Sequence, residues 1–230
     1  MIKNKLNTLQ NEELYLKNTY NRRFKQFENE LKSRQEMWKE LVVSYFQQFV
    51  SENDVIVDIP CGYGEFSMHI KAKTKIGIDL NPDSKKYLSK DVQFIQSSSD
   101  NLKLKANSVD VIFVSNYFEH ISHPVLHNTL LEFHRVLKTN GKVMVLQPNI
   151  RFITNDYWMF FDHINPVDDR ALDEIFEICG MKLVKKIEKF LPYTTKSRLP
   201  NHRWLIKLYL KVPLIWKIFG KQSFIIYTKA

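Results

Sequence analysis

The sequence predicts an α/β protein: a seven-stranded, mostly parallel sheet with helices on both faces and a helical N-terminal extension. Three observations carry this. From Val55 onward, short β-branched apolar runs alternate with helix-length amphipathic stretches. Those runs end in small or polar residues: Asp58, Asp79, Ser97–Asp100, Ser115-Asn116 and Gln147–Asn149. The first 59 residues hold no glycine or proline, and Phe24, Phe27, Leu31, Trp38, Leu41, Val42, Tyr45 and Phe49 recur at helical spacing.

Asn11–Ser51 reads as two helices with a break near Ser33. The later one should pack on the sheet; the earlier one is a lid over the site or a contact in a homodimer. Val55–Val57 is the first strand, with Asp58 at its end and a tight turn over Pro60–Gly64. Glycine there lets a ligand approach the backbone. Glu65–Lys71 can start a helix, whose first N–H groups would face that ligand. Lys75–Leu80 is the second strand, and Asn81-Pro82-Asp83 opens a helix, because proline suits the first helical position. Val92–Gln96 and Val109–Val114 are the third and fourth strands. His123–Leu137 is a helix with Leu126, Leu130, Phe133 and Leu137 on one face, stopped by Thr139-Asn140-Gly141. Lys142–Leu146 is the fifth strand, and Asp168–Cys179 is a helix capped by Gly180. Met181–Phe190 and Ser223–Lys229 are the last strands. Between them, Arg203–Phe219 is a basic amphipathic insert that Pro213 breaks into two short helices.

Hydrophobic residues make up 44% of the chain and charged residues 26%, as in soluble globular proteins. Met1–Leu14 is polar, and no run approaches a membrane span, so a cytoplasmic protein is expected. Cys61 and Cys179 lack CxxC spacing, which argues against a disulfide framework or a cysteine zinc site. The net charge is +9, but Lys182–Ala230 carries 12 Lys and Arg against one acid, Glu188, leaving −2 for the remainder. Such asymmetry is either a solvated basic face or a surface for an anionic partner. For Arg203–Phe219 that partner would be the inner face of a membrane or a lipid-linked pyrophosphate. Nucleic acid is a weaker reading, because no recognised binding module is present.

In a parallel sheet of this kind, ligands sit at the C-terminal strand edge. Asp79, 15 residues after Gly64, can accept both hydroxyls of a ribose. A dinucleotide fingerprint would place a third glycine where Ser67 stands, which argues against that class. The motif Asp58-x-Pro60-x-Gly62-x-Gly64, the acid Asp79, FIQSSSDNL (94–102), SVDVIFVSNYFEHI (108–121) and LLEFHRVLKTNGKVMVLQPN (130–149) occur in the order found in class I S-adenosylmethionine-dependent methyltransferases, which the chain resembles. Pro60 replaces a family glycine, and Ser98 stands where a family aspartate would be. The resemblance implies a Rossmann-like domain over residues 51–230, an extension over 1–50 and the insert at about 200–220. It implies S-adenosylmethionine as cofactor, held by Asp58, Pro60, Gly62, Gly64, Asp79, Leu80, Ser98, Ser99 and Asn116.

The tail, with PNIRFITNDYWMFFDHINPVDDRAL (148–172) and FLPYTTKSRLP (190–200), resembles methyltransferases of bacterial surface-polysaccharide synthesis. That implies a sugar or glycan acceptor methylated at oxygen. The candidates for a base or acceptor contact are Glu119, His120, Asp162 and His163, with His120 first and the Asp162-His163 pair second. Arg151, Tyr157 and Trp158 are candidate acceptor contacts. His120, His123 and His127 lack zinc spacing, so no metal is expected. Two rivals share the cofactor: an RNA or protein methyltransferase, and a binding module without catalysis.

Overall fold

The computed structural model describes residues 31–153, 156–193 and 203–229. The earlier predicted N-terminal helix lies outside them. Helix α1 (Leu31–Ser44) leads into a 3-10 turn at Phe46–Phe49. Strands β1 (Val55–Asp58), β2 (Thr74–Asp79), β3 (Val92–Gln96) and β4 (Val109–Ser115) follow, then helix α2 (His123–Val136) and strand β5 (Leu137–Pro148). Helix α3 (Asp169–Ile178) and strand β6 (Met181–Leu191) come next, then helices α4 (Arg203–Lys211) and α5 (Pro213–Phe219), and last strand β7 (Gln222–Lys229).

The described residues form one seven-stranded sheet, β3-β2-β1-β4-β5-β7-β6. The β1–β5 pairings are parallel, and β7 is antiparallel to both neighbours. Strand order therefore reverses between β1 and β4, so the loops leaving those two strands part and open a crevice.

Alternation along the strands builds two cores. Val57, Ile112, Val114, Val143, Val145 and Ile225 face one side, under α2 and α3. Ile56, Val111, Phe113, Met144, Leu146 and Phe224 face the other, under Trp38, Leu41 and Val42 of α1 and Leu210 and Trp216 of α4 and α5. Burying one such side chain stabilises by roughly 1.5–3 kcal/mol. Phe66, just after the glycine turn, stacks on Phe113 with centroids 3.8 Å apart. The turn is thereby packed onto the sheet centre.

Three expectations need correction. Helix α1 runs unbroken through Ser33. A serine costs a helix only a few tenths of a kcal/mol, less than the packing of Trp38 and Leu41 returns. The helix expected over Glu65–Lys71 is a single irregular turn. Met68 and Ile70 donate N–H bonds to the Gly64 and Phe66 carbonyls, at 2.8 and 3.1 Å. Gln47 then takes over: its Oε1 accepts the Lys71 N–H at 2.8 Å and its Nε2 donates to the Lys71 carbonyl at 3.1 Å. Strand β5 also starts earlier, at Leu137, because Asn140 takes a φ of 62° and lets the chain turn within the strand pairing.

The insert is held from below. Glu40 of α1, 2% exposed, lies 3.3 Å from Arg203 and 3.7 Å from Lys207. The Tyr209 hydroxyl donates to the Phe190 carbonyl at 2.6 Å. The outer faces of the same helices expose Trp204, Leu208, Leu214, Ile218 and Phe219 beside Lys207, Lys211 and Lys217.

Candidate active site

The C-terminal tips of β1 to β5 meet at one edge of the sheet, on both sides of the reversal. Asp58 closes β1. It is 4% exposed, and its carboxyl accepts the Ser67 N–H at 3.1 Å. Burial pushes its pKa up to about 8, against hydrogen bonds from Ser67 that lower it. Asp58 therefore anchors the loop from beneath. Pro60 follows a cis peptide bond, and Gly62 and Gly64 take φ of 48° and 70°. A Cβ on Gly64 would lie 2.4 Å from Leu88, so packing and backbone both demand glycine there. A Cβ on Gly62 would meet nothing within 4 Å: the space over that residue is open.

Asp79 closes β2. Its Oδ2 accepts the Gly62 N–H at 2.9 Å and its Oδ1 the Asn81 N–H at 2.8 Å. Burial raises its pKa, opposed by these bonds. A carboxylate offers about four acceptor sites, so two backbone donors do not exhaust it. Leu80 follows and is half exposed. A cleft of about 270 Å³ opens beside it, lined by Leu80, Gln96, Ser97, Ser98, Asn101 and Lys103. Asn116, past the tip of β4, is exposed with a φ of 49°. Ser99 follows Ser98 in the same loop. It is 3% exposed and bonds the Tyr117 hydroxyl at 2.7 Å and Thr129 at 2.6 Å, pinning the β3 loop to α2.

Across the reversal, the turn Phe118–His120 meets the segment 157–165. Ile164 and Asn165 both donate N–H bonds to the Glu119 carbonyl, at 2.9 and 3.1 Å. His120 Nδ1 lies 3.1 Å from Asp162 Oδ2 and 3.2 Å from the Asp162 carbonyl. The His120 and His163 rings meet edge to face at 4.8 Å. The three predicted residues His120, Asp162 and His163 are thus together, although 42 residues separate the first two. The fourth candidate, Glu119, joins them: it is 1% exposed, and its Oε1 lies 3.7 Å from His120 Nε2.

The other candidates divide. Tyr157 is fully buried; its hydroxyl donates to the Asn165 carbonyl at 2.5 Å and accepts the Val167 N–H at 3.1 Å, so it is a core pin. Arg151 is paired with Asp169 at 2.8 Å, on the β5 side. Trp158 is exposed, as are Met159, Phe161 and Ile164, which form an apolar rim near the cluster. A larger hollow of about 510 Å³ lies at the opposite end of the strands, between Asp54, Asp110 and Lys142. It is remote from every strand tip named above.

Residues 57–145 match the family described as a methyltransferase domain. That match runs from β1 into β5, less than half of the chain. An uncharacterized protein of Methanocaldococcus jannaschii is 28% identical over 144 residues, 60% of this chain and 60% of that protein. The ubiquinone/menaquinone biosynthesis C-methyltransferase of Agrobacterium fabrum is 26% identical over 169 residues, 67% of this chain and 58% of that one. The match therefore spans about 60% of the length of these relatives. A solved methyltransferase of Thermotoga maritima shares the fold, with a TM-score of 0.65, 18% identity and coverage of 90% of this chain and 98% of that one.

Proposed function

We propose that this protein transfers a methyl group from S-adenosylmethionine to an oxygen of a glycan acceptor carried on a lipid. The observation that carries the reading is the pairing of two half-sites across the β1/β4 reversal. One half has a buried acid at a strand tip beside open glycine backbone; the other is a polar cluster of Glu119, His120, Asp162 and His163. On this reading Asp79 takes the ribose hydroxyls, Leu80 and Ser98 border the adenine, and the space over Gly62 takes the methionine part. Pro60, Gly64 and Asp58 shape and anchor that loop, and Asn116 closes it from β4. When bound, S-adenosylmethionine supplies a methyl group already activated on a sulfonium sulfur.

The chain's task is then alignment and handling of the acceptor's proton. Alignment can contribute about 7–11 kcal/mol of the barrier. The proton leaves in the cluster, where His120 Nδ1 sits 3.1 Å from Asp162 Oδ2 and Nε2 faces Glu119. The domain spans residues 51–230, with 1–50 as an extension and the insert at about 200–220.

Two surface features support a lipid-linked acceptor. The apolar rim of Trp158, Met159, Phe161 and Ile164 borders the cluster. Helices α4 and α5 present exposed apolar residues four apart, Trp204 with Leu208 and Leu214 with Ile218, interleaved with lysines. That combination suits the headgroup layer of an anionic bilayer. The insert follows β6 and precedes β7 at the same sheet edge, and Lys221 beyond it lies 3.7 Å from Asp156, beside the rim.

The test is product release on lipid-linked glycans embedded in anionic vesicles, compared with soluble nucleotide sugars. Turnover on the vesicles is expected, and Leu214→Glu with Ile218→Glu should lower vesicle binding and turnover together, leaving cofactor affinity unchanged. Turnover confined to soluble acceptors would contradict the lipid-linked part. Salt-sensitive RNA methylation would contradict the glycan reading.

A further inference from the structure

We infer that Glu119, His120 and His163 bind one first-row divalent cation, with zinc the leading occupant. A carboxylate oxygen of Glu119 and one ring nitrogen of each histidine lie within 4.8 Å of one another. Zinc sits about 2.0–2.2 Å from such ligands, so an ion between them needs only about an ångström of side-chain closure. Two histidines and one carboxylate form a set that leaves coordination positions open, the arrangement of catalytic rather than structural sites. The imidazole ligands favour zinc, cobalt or nickel over magnesium and calcium.

The surroundings are built for this. The His120 ring has Nδ1 against Asp162 and Nε2 toward Glu119, at 3.7 Å. A carboxylate on the far nitrogen is what fixes a ligating histidine's tautomer and raises its basicity. Glu119 Oε2 accepts the Gln147 Nε2–H at 2.7 Å, which leaves Oε1 facing the histidines. Among the described residues, no lysine or arginine lies within 4 Å of this buried carboxylate. A buried carboxylate is costly unless paired, and a cation at this point would pair it. His163 is 5% exposed and is packed by Tyr157 at 5.0 Å and Phe160 at 5.2 Å, so its ring is already in place. The two backbone bonds from Ile164 and Asn165 to Glu119 lock the ligand-bearing segments together.

Its use in catalysis rests on the methyl-transfer reading; its existence does not. A hydroxyl coordinated at an open position becomes more acidic and loses its proton to water, which would present the acceptor oxygen as the nucleophile. The test therefore omits both cofactor and acceptor. Chelator-treated full-length protein is titrated with Zn²⁺ by calorimetry, and separately with Co²⁺ by visible absorption. One equivalent should bind, and Co²⁺ should give d–d bands without thiolate charge transfer, which excludes Cys61 and Cys179 as ligands. Glu119→Gln and His163→Gln should each abolish stoichiometric binding, and Asp162→Asn should weaken it about 10–100-fold. Circular dichroism and S-adenosylhomocysteine binding check that each variant folds. Because the wild-type cobalt spectrum is decisive by itself, a variant that fails to fold does not rescue the inference. Absent stoichiometric binding, or a spectrum with thiolate bands, overturns it. So does binding unchanged in folded Glu119→Gln.

Discussion

Replacing Asp79 with alanine is expected to weaken S-adenosylmethionine binding about 10²–10⁴-fold with the fold retained. The magnitude follows from two charge-assisted hydrogen bonds to a ribose, each worth roughly 1.5–3 kcal/mol. The structure adds a second consequence. Asp79 also accepts the Gly62 and Asn81 N–H groups. Alanine leaves the Gly62 donor without its acceptor, at a cost of about 1–3 kcal/mol, and frees the loop that carries the open space. Asp79→Asn separates the effects, since its amide oxygen can still accept one backbone bond while the negative charge is gone. Calorimetric binding and urea unfolding read the two changes independently. Unchanged affinity in folded Asp79→Ala would remove the nucleoside from this strand tip.

His120→Gln is expected to lower kcat about 10²–10⁴-fold while cofactor affinity stays within about twofold. The asymmetry comes from the topology: Asp79 and Gly62 lie on one side of the reversal, His120 on the other. Asp162→Asn should act in the same direction but more weakly, because Asp162 acts only by orienting His120. Steady-state kinetics with separate cofactor titrations check both. Parallel loss of binding and turnover would mean that the cluster supports the cofactor loop instead.

Much of the fold is legible in the sequence because strand tips and core alternation are local properties. Ile56-Val57 and Val111–Val114 each announce a strand with two buried faces, and Asp168 announces the start of α3 by the cap it forms with Arg170 and Ala171. What the sequence does not display is long-range hydrogen bonding. Gln47 ends the turn after Gly64 from 24 residues away, and nothing near Lys71 signals this. Ser99 bonds Tyr117 and Thr129, contacts that nothing near it in the sequence signals. The cation cluster is the same case on a larger scale. Histidine spacing along the chain brings His120, His123 and His127 to notice, whereas folding joins His120 to His163 and to its own neighbour Glu119. The buried acid beside two imidazoles is visible only once the 157–165 segment has crossed the end of β4.

The account turns on which edge of the sheet holds the nucleoside. Amide chemical shifts followed during titration with S-adenosylhomocysteine decide this directly. We predict saturable, one-to-one shifts at Gly62, Leu80, Ser98 and Asn116. Shifts confined to the hollow between Asp54, Asp110 and Lys142, or no saturable change at all, would contradict the account.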